Sequence, residues 1–256
     1  MTTCLLLAAA VVTIAAAARS TWSPCGLSML ASITPLSELG RGHRYRATAG
    51  WFVVGATVGG ATLGAAVAAL ALGVHVVSLT PRELSMVALG AGILTVASDV
   101  GLGGFRLPVH HRQVNERWLD QFRPWVYGAG FGGQIGTGLA TYIVTAAVYL
   151  MVVLSALTGN GWLAFGLGTL FGFVRGLSVC LGRHITSGDR LRSFHQWFTD
   201  LGPKVRRAAI AVELAVVALF AWTLAPWAAL GLCAGALGWA ALRARTRAAR
   251  QVALRE

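Results

Sequence analysis

The sequence predicts an all-α fold, a polytopic membrane helix bundle of about seven transmembrane helices, and three observations carry that expectation. Of the 256 residues, 56% are hydrophobic and 12% charged, with a mean hydropathy of +0.67, more apolar side chain than one soluble core needs. Apolar runs recur at lengths suited to crossing a hydrocarbon core of ~30 Å. The basic residues gather in short segments between those runs, which is the pattern that sets orientation in a membrane.

Taken in order, runs long enough to span lie at residues 51–74, 84–104, 126–157 and 162–181. Two more, 208–224 and 227–242, flank Ala225 and Pro226, a pair that suits a tight turn between antiparallel spans. The stretch 4–36 is too long for one simple span and too short for two with a loop, so it reads as a single helix interrupted near Ser23, Pro24, Cys25 and Gly26. The first twenty residues lack the basic start of a signal peptide and are expected to be retained. The whole forms one transmembrane domain, 1–242, followed by a basic tail, 243–256.

Orientation follows from the arginines. Arg41, Arg44 and Arg46, then Arg106, Arg112, Arg117 and Arg123, then Arg183, Arg190, Arg192, Lys204, Arg206 and Arg207 fall after alternate spans. Those segments belong in the cytoplasm, with the N-terminus outside and the C-terminus inside. The net charge of +12 could suggest a nucleic-acid binder, but no basic stripe or aromatic-interleaved patch is present. The partner is the lipid bilayer, in a bacterial inner membrane, and no nucleic acid is expected.

The chemistry-bearing features are few. Cys4, Cys25, Cys180 and Cys233 show neither CxxC spacing nor a disulfide framework. No phosphate-binding loop, zinc-protease or nucleophile-elbow motif is present, and no cofactor or metal is expected. Around Cys25 the sequence reads TWSPCGLSMLASITPLSE. Each proline removes a backbone donor, and irregular backbone at membrane depth is tolerated only where it is enclosed by protein or lines a watery cavity. A thiol at such a break is a candidate reactive group; the alternative is a small packing residue in a kinked helix.

A second break is expected where YGAGFGGQIGTGLATYIVTA begins the fourth span. Aligning Gly26-Leu27 with Gly138-Leu139 sets Cys25 against Thr137 and Pro24 against Gly136, and the two spans run in opposite directions by the charge rule. This is the pattern of an inverted repeat with discontinuous helices, repeat one at about 4–104 and repeat two at about 126–224, with an extra helix at 227–242. Dense glycine also permits close helix packing without any repeat.

Ionisable residues inside the membrane suggest function or pairing. Asp99, Arg175 and Glu213 lie seven or eight residues from Arg106, Arg183 and Arg206 respectively, hence about 10 to 12 Å inward at ~1.5 Å per residue. Arg175 paired with Glu213 or Asp99 would neutralise charge; as a relay the three would serve a transporter. The loop 105–125 alternates apolar residues with charges, an interfacial segment in which His110, His111, Arg112, Glu116 and Trp118 form a candidate docking surface, or equally a solvated basic connector.

The Ser23-Pro24-Cys25 motif in an outward-starting first span, the arginine-bearing loop that follows and the inverted, glycine-rich fourth span together resemble the CcdA/DsbD transmembrane family of the LysE-type superfamily. The resemblance implies thiol–disulfide electron transfer across the membrane or cytochrome c maturation, with thioredoxin-like partners and Cys25 as the working thiol. It departs at Thr137, where the family places its second cysteine. The rival expectations are a small-solute or metal-ion exporter built on Asp99, Arg175 and Glu213, and a non-catalytic scaffold for other membrane subunits.

Overall fold

The computed structural model describes residues 2–108, 121–138 and 143–226. Regular structure among them is helical throughout, and five helices are long and apolar enough to cross a membrane. The protein is a multi-pass membrane protein whose solvent is lipid. The predicted extra helix at 227–242, Cys233, the basic tail and the docking residues His110, His111, Arg112, Glu116 and Trp118 lie outside the described residues.

The N-terminal region breaks where the prolines fall. Helix α1 runs Thr2–Thr21, α2 Pro24–Ser32 and α3 Pro35–Gly40. Each proline takes the first turn of its helix, where the missing N–H costs nothing. Ser23 and Thr34 cap α2 and α3, accepting from Gly26 N and Ser37 N, both at 3.0 Å. Next come α4, Tyr45–Val77, and α5, Pro81–Val100. They are joined by a turn through Ser78, at φ 54°, and a capping box between Thr80 and Glu83.

The predicted fourth span is also two pieces, α6 at Pro124–Gly136 and α7 at Ala147–Leu157. Helix α8 covers Gly161–Leu177 and tightens into a 3-10 segment over Ser178–His184. The last described helix, α9, is longer than the sequence suggests. It begins at Gly188, not near 208, and carries Pro203 inside it through Leu224. A polar, amphipathic first half runs without interruption into the apolar span, so the segment expected to be a loop is helix.

The centre is a backbone-on-backbone seam. α4 lies between α6 and α8, and glycines make the approach possible. A side chain on Gly132 or Gly136 would strike the Phe52 or Ala56 carbonyl of α4, and one on Gly172 would strike Ala56 from the other side. Gly60 and Gly64 of α4 face Gly168 of α8 in the same way. Without a hydrophobic drive between helices in lipid, such close van der Waals contact is what holds them. α1 packs on α7, α8 and α9, while α5 pairs with α9, Gly92 lying under Val217. A second cluster of Leu30, Ile33, Phe52, Tyr127, Phe131 and Phe198 fills the end of the bundle where α2, α6 and α9 meet.

Candidate functional site

The first break is set by Pro24. In a continuous helix the Ser20 carbonyl would accept from residue 24, but proline has no N–H to give, so that carbonyl is released from the α1 ladder. The chain turns through Trp22, whose indole Nε1 donates to the Phe198 carbonyl at 2.8 Å and whose ring stacks on Phe198 at 4.7 Å. Cys25 is then the second residue of α2, 4% exposed. Gly26 follows where only glycine fits, because a Cβ there would meet the Thr21 carbonyl.

The second break closes α6. Thr137, the position aligned with Cys25, is its C-cap, and its hydroxyl donates back to the Gln134 carbonyl at 2.8 Å. Gly138 follows at φ 67°, with the Phe171 ring where a Cβ would stand. Both the positive φ and the ring exclude a side chain.

Arg175 of α8 joins the two breaks. It is 1% exposed. Its Nη1 donates to the Ile135 carbonyl at 2.6 Å and its Nη2 reaches the Ser20 carbonyl at 3.5 Å. These are the penultimate residues of α6 and α1 respectively. The guanidinium therefore sits at the negative ends of two half-helices, over the Phe171 ring at 5.8 Å and within electrostatic reach of Cys25. Its Nε has no hydrogen-bond partner among the described residues.

The expected pairing of Arg175 with Glu213 or Asp99 does not occur. The ion pairs among the described residues are Arg41–Glu38 and Arg192–Asp189. Two helix C-termini already provide Arg175 with negative potential and acceptors, which a carboxylate would otherwise supply. Asp99 instead caps α7: its carboxylate accepts from the Thr145 hydroxyl and from Ala146 N at 2.6 Å. Arg206 donates to the backbone carbonyl of Asp99 at 2.6 Å. Glu213 is fully buried, within electrostatic reach of Asp99, and neither oxygen has a hydrogen-bond partner among the described residues.

One buried carboxylate escapes the sequence. Glu38 of α3 is fully buried, accepting from the Thr48 hydroxyl at 2.5 Å, from the Tyr127 hydroxyl at 2.8 Å to each oxygen, and from Arg41 at 3.2 Å. It ties the segment after the first break to α6, which leads into the second. The only local sign is Arg41, three residues on.

Comparison with known proteins gives the family. The chain is 33% identical over 216 residues to methylamine utilization protein MauF of Paracoccus denitrificans, covering 78% of this chain and 73% of that protein. It is 30% identical over 212 residues to MauF of Paracoccus versutus, covering 79% and 73%. The chain belongs to the MauF family. MauF of Methylorubrum extorquens is 29% identical over 148 residues, 55% of this chain and 50% of that protein. No family model and no solved structure matches. These MauF relatives are bacterial, and their names contain no term for thiol redox, cytochrome c biogenesis or transport. In this MauF-family chain, the structure brings Pro24, Cys25 and Arg175 into one neighbourhood. It leaves Asp99 and Glu213 together in another.

Proposed function

We propose that this chain is an inner-membrane accessory protein of methylamine utilization that performs thiol–disulfide exchange through Cys25, within a CcdA-like inverted repeat oriented N-out and C-in. The observation that supports this most is the position of Arg175. A buried guanidinium bonded to carbonyls at the ends of both broken helices links the two breaks and lies within electrostatic reach of the cysteine. It is the counter-charge for the anion that develops on sulfur when a thiol exchanges.

In such exchange the Cys25 thiolate attacks one sulfur of a partner disulfide, the partner's other sulfur leaves as a thiolate, and a mixed disulfide remains. A second thiol must resolve it. With Thr137 at the aligned position, that thiol comes from a thioredoxin-like partner.

The test is complementation of a Paracoccus denitrificans strain lacking its MauF, grown on methylamine, with the parent chain and with Cys25→Ser. The parent is expected to restore growth and the serine variant, present at equal level in the membrane, is expected not to. Equal growth with both rules out the thiol reading.

Glu213 favours a second reading. A fully buried carboxyl group without a hydrogen-bond partner among the described residues is costly in lipid and marks an ion or solute path when it serves function. A small-solute or metal-ion transporter would tolerate Cys25→Ser and fail with Glu213→Gln, the reverse of the outcome expected from exchange chemistry.

A further inference from the structure

A cavity of about 330 Å³ opens where α5 ends, bordered by the last turns of α1, the start of α7 and the middle of α9. Its volume falls in the ~300–1,000 Å³ range of small-ligand sites. Three guanidinium groups line it, Arg19, Arg106 and Arg206, against one carboxylate, Asp99. Asp99 offsets only one of the three positive charges, and its oxygens already accept from the Thr145 hydroxyl and Ala146 N.

The arginines themselves are lightly used. Arg206 donates to the Asp99 carbonyl at 2.6 Å, and Arg19 reaches the Trp22 carbonyl at 3.4 Å. Arg106 is exposed and makes no hydrogen bond among the described residues. Arg19 also lies within electrostatic reach of Arg206. Like charges around one void repel, and each guanidinium presents a fork of donors. An anion with several acceptor oxygens would satisfy both.

The depth narrows the choice. The cavity sits at the end of the apolar helix α5, and directly beyond it Leu102 and Phe105 are 58% and 42% exposed. Apolar side chains beside a cationic recess match an amphiphile whose charged group enters while its chains remain in lipid.

We infer that this arginine-lined cavity binds a phosphate group, which an anionic phospholipid headgroup or a free phosphate from the adjoining aqueous phase can provide. Planar guanidinium forks match phosphate oxygens in bidentate fashion. This assignment is independent of the role of Cys25.

The full chain, purified in a neutral detergent, is to be titrated with phosphatidylglycerol and, separately, with inorganic phosphate, following the midpoint of thermal unfolding. Four proteins are compared: the parent, Arg106→Gln, Arg19→Gln, and Arg192→Gln, the last altering an exposed pair about 21 Å along α9 from Arg206 at ~1.5 Å per residue. Arg106 touches no described residue through a hydrogen bond, so its variant is expected to fold.

The parent and Arg192→Gln should be stabilised alike. Arg106→Gln and Arg19→Gln should need roughly tenfold more ligand for the same rise, the loss of about one charge-assisted contact each. Stabilisation by phosphatidylglycerol alone identifies a headgroup; stabilisation by inorganic phosphate as well identifies the free anion. No rise with either ligand, or an equal rise in all four proteins, overturns the inference.

Discussion

Replacing Tyr127 by Phe isolates the link between the two broken elements. The phenol of α6 donates to both oxygens of the fully buried Glu38 at 2.8 Å, and phenylalanine keeps the ring packed on Phe131 while removing only the hydroxyl. No cavity larger than one oxygen forms, so the cost is the hydrogen bond itself. Bonds to charged acceptors contribute about 1.5–3 kcal/mol. Glu38 keeps the Thr48 hydroxyl at 2.5 Å and Arg41 at 3.2 Å, which places the expected loss near the lower end, about 1.5–2 kcal/mol. Reversible unfolding in mixed micelles, followed by circular dichroism, measures it. Combining Tyr127→Phe with Thr48→Val closes a double-mutant cycle, and two donors on one carboxylate should couple by at least ~0.5 kcal/mol. A loss below ~0.3 kcal/mol for Tyr127→Phe, within the spread of independent sites, would show that the carboxylate does not hold α6 and would refute the network.

Three further outcomes follow from the geometry. Ser23→Ala removes the α2 cap that accepts Gly26 N at 3.0 Å, and should cost ~0.5–2 kcal/mol in the same unfolding measurement while speeding modification of Cys25 by a small maleimide. Gly60→Ala would set a methyl 2.5 Å from the Gly168 carbonyl and 2.6 Å from the Gly172 α-carbon, so α4 and α8 must separate, at about 1–3 kcal/mol of overpacking; unchanged stability would mean the seam is looser than it stands. Glu213→Gln keeps the shape and exchanges the carboxyl for an amide in a buried group without a hydrogen-bond partner among the described residues. Stability at neutral pH should hold or rise, and a loss of ~1–3 kcal/mol, the cost of an orphaned buried partner, would reveal a group bound to Glu213.

What the sequence announced and what it concealed divide along a physical line. Pro24, Pro35 and the glycines before Thr137 mark the breaks, because proline and glycine act on the backbone of their own segment. Arg175, Asp99 and Glu213 stand out because charge is rare inside apolar runs. Their partners do not stand out. Arg175 is held by the carbonyls of Ser20 and Ile135, and a carbonyl belongs to every residue, so no letter of the sequence flags it. One clue was available: a proline at 24 orphans the carbonyl four positions earlier, at Ser20. The Glu38 network was hidden differently, since Glu38 lies in a short helix beside a basic loop and Tyr127 comes 89 positions later. The early start of α9 was hidden by Pro203 and by the polar residues around it, which read as a connector until the tertiary setting makes them one face of a helix.

The short halves of the second broken element bear on how the chain is built. α6 has 13 residues and α7 has 11, so at ~1.5 Å per residue they are about 20 and 17 Å long, each less than the ~30 Å of a hydrocarbon core. Neither half can leave the translocation channel as a stop-transfer segment in its own right. Each must wait for a protein surface to shelter its exposed ends, and for α6 that surface is the glycine face of α4, already synthesised some fifty residues earlier. In the folded protein the N-terminal helices thus supply the surface that shelters the half that follows. A fragment starting after α5 would lack the glycine face of α4 on which α6 packs.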